Sequence, residues 1–307
     1  MDGLIVVNKP KGMTSHDVVV QVRRITGERS AGHTGTLDPD ATGVLVVCMG
    51  RATRLSRFMM DMPKEYDAEI VFGISTDTAD ASGRVRARND SFELPKEAVF
   101  SAFQRFVGHI EQVPPMVSAV RHKGKRLYEL AREGITVERE PRRVTIYGIE
   151  PISPLDWPES VTLGSRGSVR VACSKGTYVR TLCEDICKSL RLEGHMGALE
   201  RTMSSGFRLE EAYTLEQLSE AATAGRLDTC VRPVVEGVRG MPRCVVSEDE
   251  ARHVRHGARI RSDEGRITPA CDRSDYIALL RADGSLAAVG EVRLIDGREW
   301  IQPRVVF

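Results

Sequence analysis

Gly32 to Leu45 reads GHTGTLDPDATGVL. Its fourteen residues include three glycines, three threonines, a histidine, a proline and two aspartates, far more than a plain turn needs. Pro39 restricts Asp38 to extended backbone angles, and Gly35 and Gly43 let other chain or a ligand come close. The stretch is suited to holding a carboxylate rigidly against something polar. Asp38 and Asp40 are the two candidates. The bland alternative is an Asp-Pro turn whose side chain bonds its own backbone. Phosphate cradling is a poorer explanation of the glycines, because neither Gly-x-x-x-x-Gly-Lys-Ser/Thr nor Gly-x-Gly-x-x-Gly occurs.

On either side of this loop the pattern predicts regular elements. Gly3 to Val7 reads as a short buried strand. Asn8 to Gly12 reads as a loop, and Ser15 can cap a helix carrying Val18, Val19, Val22 and Ile25 that Gly27 ends. Val44 to Met49 is a buried strand and Arg51 to Met60 a helix. Tyr66, Ala68, Ile70 and Phe72 alternate with Asp67, Glu69 and Val71, a strand pattern. Pro95 falls in the first turn of a helix with Val99, Phe103 and Phe106. Val144–Ile149 and Ser168–Cys173 are further strands; Tyr178–Leu190 and Thr214–Ala224 are further helices. This mixture has no βαβ beat, so the expected class is α+β with a largely antiparallel sheet. The Pro- and Gly-rich CVRPVVEGVRGMP, from Cys230 to Pro242, reads as a boundary. Beyond it lie a short helix from Ser247 and strands at Tyr276–Leu280, Leu286–Ile295 and Arg304–Phe307, the pattern of a small β-rich domain.

Composition is that of a globular chain: 307 residues, 41% hydrophobic and 28% charged, with a net charge of +1. The longest apolar run, Val44–Met49, is far too short to cross a membrane, and MDGLIVVNKPKG lacks the layout of a signal peptide. A cytoplasmic protein is expected. Seven cysteines are scattered without a Cys-x-x-Cys pair. Cys183 and Cys187 share a helix face, but no familiar zinc spacing completes them, so they read as reduced structural thiols and no metal is expected.

Three further stretches bear on chemistry. Ser174-Lys175-Gly176-Thr177-Tyr178-Val179-Arg180 leaves a strand and opens a helix. The helix dipole disfavours a cation such as Arg180 in the first turn unless an anion faces it, and a carboxylate paired with it stays ionised and aimed. Tyr66 opens a strand and offers an aromatic face on which an extruded nucleobase can stack. Arg121 to Arg126 holds four basic residues and a histidine, Arg252 to Arg261 holds four arginines and two histidines, and Lys9, Lys11, Arg23, Arg24 and Arg29 add a third basic cluster. Three such patches on a near-neutral chain point to an extended polyanion.

Together these motifs resemble the TruB family of tRNA pseudouridine synthases. Lys9-Pro10 with Gly12 and Ser15 is similar to the family's first motif. Gly32 to Pro39 followed by Ala41-Thr42-Gly43 is similar to its catalytic motif. Lys64-Glu65-Tyr66, Pro114-Pro115 with Ser118-Ala119, Gly124, Tyr128, Ala131-Arg132 and Ser174 to Arg180 follow in the same order, so the likeness spans Gly3 to Phe207. Glu200 stands where the family often has an arginine, Arg121 where a lysine is usual, and Val117 where an aromatic is common.

The resemblance implies a pseudouridine-synthase catalytic domain over residues 1–235 and a PUA-like RNA-binding domain over 242–307. It implies isomerisation of uridine 55 in the T-loop of tRNA, with Asp38 as the catalytic aspartate, Tyr66 as the stacking tyrosine and Arg180 as the arginine paired to the carboxylate. His33, Lys9, Lys175, Tyr178 and Arg201 then fall around the extruded nucleotide, with Leu199 and Val179 as apolar wall. The reaction breaks a C–N glycosidic bond and rejoins the same base through carbon, without redox or hydrolysis, so no cofactor is expected. The partner expected is the T-arm of tRNA, with no membrane and no obligatory protein. Two alternatives are a dyskerin-like synthase directed by guide RNA, which brings protein partners, and an RNA-binding or tRNA-folding module without chemistry. The second needs no intact Asp38, Tyr66 and Arg180 set, and all three are present.

Overall fold

The structure, a computed structural model, describes residues 1–307 except 119, 123, 263–264 and 270–275, and except the side chains of 121, 122, 126 and 132. Cys271 and most of the Arg121–Arg126 basic run therefore lie outside the described residues. The chain forms two compact units. One comprises Met1–Asp38, Val44–Met62 and Ser205–Phe307; the other comprises Pro39–Gly43 and Pro63–Ser204.

In the first unit, Gly3–Lys9 lies beside Thr42–Met49, which Ala31–His33 also joins, antiparallel. Alternation assigns each face its own core. Leu4, Val6, Val44 and Val46 enter a cluster with Phe58, Met59 and Phe207, whereas Ile5, Val7, Leu45 and Val47 enter another with Val18, Val19, Val22 and Leu218. Both strands read as unbroken apolar runs for that reason. The helix Ser15–Thr26 ends at Gly27, whose φ of 70° suits glycine. Its cap is Thr14, not the expected Ser15. The Thr14 hydroxyl accepts the Asp17 N–H at 3.1 Å, and the Asp17 carboxylate accepts the Thr14 N–H at 2.9 Å. The Thr14 hydroxyl and N–H hold the Asp17 carboxyl below the usual carboxylate range.

The C-terminal sheet runs Arg243–Val245, Tyr276–Leu280, Leu286–Ile295, Arg298–Val306 and Ile260–Arg261, with only the first pair parallel. One of its faces buries Ile277, Leu279, Val292 and Ile301 against Ala251 and Val254 of the helix Glu248–Arg255. From the same sheet Ala278, Leu286, Val289 and Val305 join the cluster of Leu4 and Phe58. The Pro- and Gly-rich stretch before the sheet is packed too: Gly237 and Val238 are buried, and a Cβ at Gly237 would lie 2.9 Å from Leu55. Burial of each large apolar side chain contributes about 1.5–3 kcal/mol. A chain ending at residue 246 is accordingly expected to melt well below the full chain, or to aggregate. Thermal denaturation checks this, and equal melting temperatures would mean that the shared core contributes little.

The second unit is built on an antiparallel sheet in the order Gly194–Ser204, Lys64–Phe72, Arg166–Cys173, Arg142–Pro151, Gly108–Gln112. Thr42-Gly43 adds a short parallel pairing to Glu200-Arg201. The mixture of helices with a mainly antiparallel sheet is the α+β class expected. Trp157 packs edge-on to Phe72, Phe100 and Phe103 at centroid distances of 6.2, 5.1 and 6.1 Å. Its ring fills the space a Cβ at Gly167 would need.

Candidate active site

The loop carrying Asp38 belongs to the first unit and is fixed residue by residue. Ala31–His33 pairs with Val47–Met49, and the Thr34 N–H donates to the Val46 carbonyl at 3.0 Å. Gly35 adopts a φ of 154°, and its N–H donates to His33 Nδ1 at 3.3 Å. Ser15, released from capping, holds the residue before Asp38: the Leu37 N–H donates to its hydroxyl at 2.8 Å, and the hydroxyl donates to the Leu37 carbonyl at 3.1 Å. Ser15 is only 2% exposed, so water does not compete for these bonds. Asp38 is half-buried, whereas Asp40 is exposed. Lys9 is fully buried, and its ammonium donates to the carbonyls of Pro10 and Met13 at 2.9 and 2.7 Å. Those bonds tie its own loop together, a role that the sequence assignment to substrate did not anticipate.

The remaining expected residues gather in the second unit. Tyr66 lies on the buried face of Lys64–Phe72, in register with Arg201 on one side and Val171 on the other. Leu199 pairs with Ala68 on the same strand and is half-buried. Tyr66 is 7% exposed and Arg201 1% exposed, so both are buried. Gly43, the fifth residue after Asp38, has a φ of 99°, and a Cβ there would come within 2.8 Å of the Arg201 nitrogen. Only glycine fits that close approach.

Arg180 occupies the first turn of the helix Val179–Ser189 and is 4% exposed. Asp80 supplies an anion at this helix position, at 3.2 Å. The guanidinium also donates to the carbonyls of Thr78 at 3.4 Å and Val117 at 2.9 Å. Asp80 was not singled out from the sequence. Its other oxygen accepts the Thr78 hydroxyl at 2.7 Å, the Ser82 hydroxyl at 2.6 Å and the Ser82 N–H at 3.0 Å. The signal was there in STDTADASG, Ser75 to Gly83, a density of Asp, Thr and Ser that marks a side-chain-bonded turn. Tyr178 is half-buried and Lys175 exposed, both on the segment leading to Arg180.

Glu200 accepts the Thr42 hydroxyl at 3.4 Å and lies across from Asp67. Among the described residues no group of three or more His, Cys, Asp or Glu is placed to hold a metal. Burial pushes the Cys183 thiol up to about 12 and raises that of Cys187, so neither offers a thiolate at neutral pH. The arginines of the C-terminal run, 252, 255, 259 and 261, are exposed, with Arg259 stacked 4.8 Å over Trp300. Arg252 pairs with Asp249.

Comparison with known proteins bears on this arrangement. Residues 23–179 match the family model of the TruB family pseudouridylate synthase N-terminal domain, and residues 180–239 match that of the tRNA pseudouridylate synthase B C-terminal domain. A tRNA pseudouridine synthase B from Pelotomaculum thermopropionicum is 42% identical over 94% of this chain and 90% of its own. One from Symbiobacterium thermophilum is 50% identical over 84% of this chain and 82% of its own. Among solved structures, a chain of a Cbf5–Nop10–Gar1 complex superimposes with a TM-score of 0.75 at 26% identity, covering 99% of this chain and 84% of that one. An aspartate loop clamped by a serine and a buried arginine matched to an aspartate thus sit in a chain that family models cover from residue 23 to 239: the chain belongs to the TruB family of pseudouridylate synthases.

Proposed function

We propose that this protein is a tRNA pseudouridine synthase that isomerises uridine 55 of the T-loop, acting alone in the cytoplasm. The observation that carries this reading is the clamped Asp38 loop in a chain 42–50% identical to enzymes named tRNA pseudouridine synthase B. The exposed arginines of the C-terminal sheet suit a PUA-like module gripping RNA phosphates. The uridine is extruded from its loop, at a cost of a few kcal/mol, and stacks on Tyr66.

The C1′–N1 bond then breaks, the base turns, and a C1′–C5 bond forms; C5 loses a proton and N1 gains one. Ionised Asp38 either attacks sugar or base or stabilises positive charge at the anomeric carbon. Arg180 is the cation that keeps carboxylate charge in place, and Leu199 with Val179 forms the wall against which the base turns. The product has the same composition as the uridine, and the described residues contain no helix long and apolar enough to cross a membrane.

Incubating the purified protein alone with unmodified tRNA and mapping pseudouridine tests the reading. Product at position 55 supports it. Dependence on an added guide RNA would favour the guide-directed alternative instead. Stacking on an aromatic face is worth about 1–3 kcal/mol per base, so Tyr66→Leu is expected to slow the reaction about 10- to 100-fold and Tyr66→Phe to leave most of the rate. A Tyr66→Phe variant that binds tRNA and is inactive would show that the hydroxyl moves a proton.

A further inference from the structure

We infer that Gln112 is a positioning residue for Arg180, an inference that rests on the catalytic reading of Arg180 given above. Gln112 ends the edge strand Gly108–Gln112, opposite Arg142, and is 2% exposed. Its side-chain amide grips both polar groups of Tyr178. The Tyr178 N–H donates to Oε1 at 3.0 Å, and Nε2 donates to the Tyr178 carbonyl at 3.3 Å. Tyr178 is the cap residue of the Val179–Ser189 helix, and its own side chain makes no capping bond. Its carbonyl also accepts the first helical N–H, from Leu182 at 3.0 Å. Gln112 thus takes up the Tyr178 N–H, one of the donors that a helix start leaves over, and adds a second bond to the Tyr178 carbonyl.

The geometry continues directly to the arginine. Arg180 follows two residues after Tyr178 and donates to the Val117 carbonyl, five residues beyond Gln112. The segments 112–117 and 178–180 are therefore bridged at both ends, by Gln112 and by Arg180. Between the bridges lie Pro114 and Pro115, and Arg139 holds the Pro114 carbonyl at 3.0 Å. The rest of the helix has an anchor of its own in buried Leu182, Cys183, Ile186 and Cys187. Loss of the Gln112 amide should therefore leave the helix packed while its first turn, and with it the guanidinium, loses its aim. A misplacement of about 1 Å at a reacting centre lowers rates about 100-fold.

The test uses the full chain with Gln112→Met, which keeps the side chain's length without its polar atoms, and Gln112→Glu. Single-turnover pseudouridine formation at saturating tRNA, tRNA affinity and melting temperature are measured for each. For Gln112→Met the rate is expected to fall about 10- to 100-fold with tRNA affinity unchanged, and the double variant with Arg180→Met is expected to be no slower than Arg180→Met alone. In Gln112→Glu the new carboxyl, when protonated, presents the same acceptor and donor as the amide, whereas its ionised form repels the Tyr178 carbonyl; burial raises a carboxyl's pKa. The rate of Gln112→Glu relative to the unaltered protein should therefore rise as pH falls from about 8.5 to about 5.5, the span in which a carboxyl raised by burial takes up its proton. A Gln112→Met variant at full rate overturns the inference, as does a rate loss that follows melting or tRNA affinity. Full activity of Arg180→Met would instead overturn the catalytic reading of Arg180, so the two failures are distinguishable.

Discussion

Asp38→Asn is expected to lower the rate of pseudouridine formation at least about 1,000-fold, equivalent to about 4 kcal/mol of transition-state stabilisation. Asparagine has the shape of aspartate but cannot ionise, so it supplies neither a nucleophile nor a counter-charge at the anomeric carbon. The fold should not suffer. The backbone before Asp38 is held by Ser15 through Leu37, and Thr34 is held by Val46; neither contact involves the Asp38 carboxylate. Binding should persist as well, because the exposed arginines of the C-terminal run are remote from this loop in sequence and unchanged in charge. Asp40 is exposed, and Asp40→Asn should stay within a few-fold of the unaltered rate. Single-turnover assays on the two variants decide the matter: an active Asp38→Asn, or an inactive Asp40→Asn with a normal melting temperature, would move the chemistry to another carboxylate.

What could be read from the sequence followed the range of the interactions involved. Lys64–Phe72 was legible because one face is buried and the other carries Glu65, Asp67 and Glu69, so alternation appears directly in the residues. Gly194–Ser204 was not legible as a strand, although it adjoins Lys64–Phe72. GHMGALERTMS has two glycines and one β-branched residue, and its register shifts twice along its partner. Its strand state comes from its neighbours rather than from propensity.

The site divides in the same way. Asp38 and Arg180 each carry a local signal, a proline-restricted carboxylate and a cation at a helix start. Ser15 was assigned to the local cap next to it, whereas its bonds reach Leu37, 22 residues on. Asp80 is 100 residues from Arg180, so the helix position alone stated that Arg180 needs an anion, the resemblance offered Asp38, and Asp80 went unnamed. Nothing local to Lys9 shows that its ammonium donates to the carbonyls of Pro10 and Met13 in its own loop.

Asp80→Asn is expected to lower the rate about 100-fold or more, and the reason lies in how its two oxygens are used. One accepts three donors, from Thr78 and Ser82, and an asparagine must keep its carbonyl oxygen there. Its NH₂ group then points at Arg180, donor against donor, where the second carboxylate oxygen now accepts at 3.2 Å. The substitution therefore replaces an attraction with a repulsion, and it does so around a guanidinium that is almost entirely buried. A buried cation that loses the Asp80 carboxylate and meets a donor in its place is costly to keep there, so Arg180 should leave its present rotamer and the bonds to Thr78 and Val117. Loss of about 2.7 kcal/mol of transition-state stabilisation corresponds to the 100-fold fall. Arg180→Met should cost a similar factor, and the double variant should be scarcely slower than either single one, because two residues acting as a unit are not additive. The readout is single-turnover product formation beside tRNA affinity, with thermal melting to separate a misaimed arginine from a destabilised fold. Equal and independent losses from Asp80→Asn and Arg180→Met, multiplying in the double variant, would mean that Asp80 serves the reaction by some route other than holding Arg180.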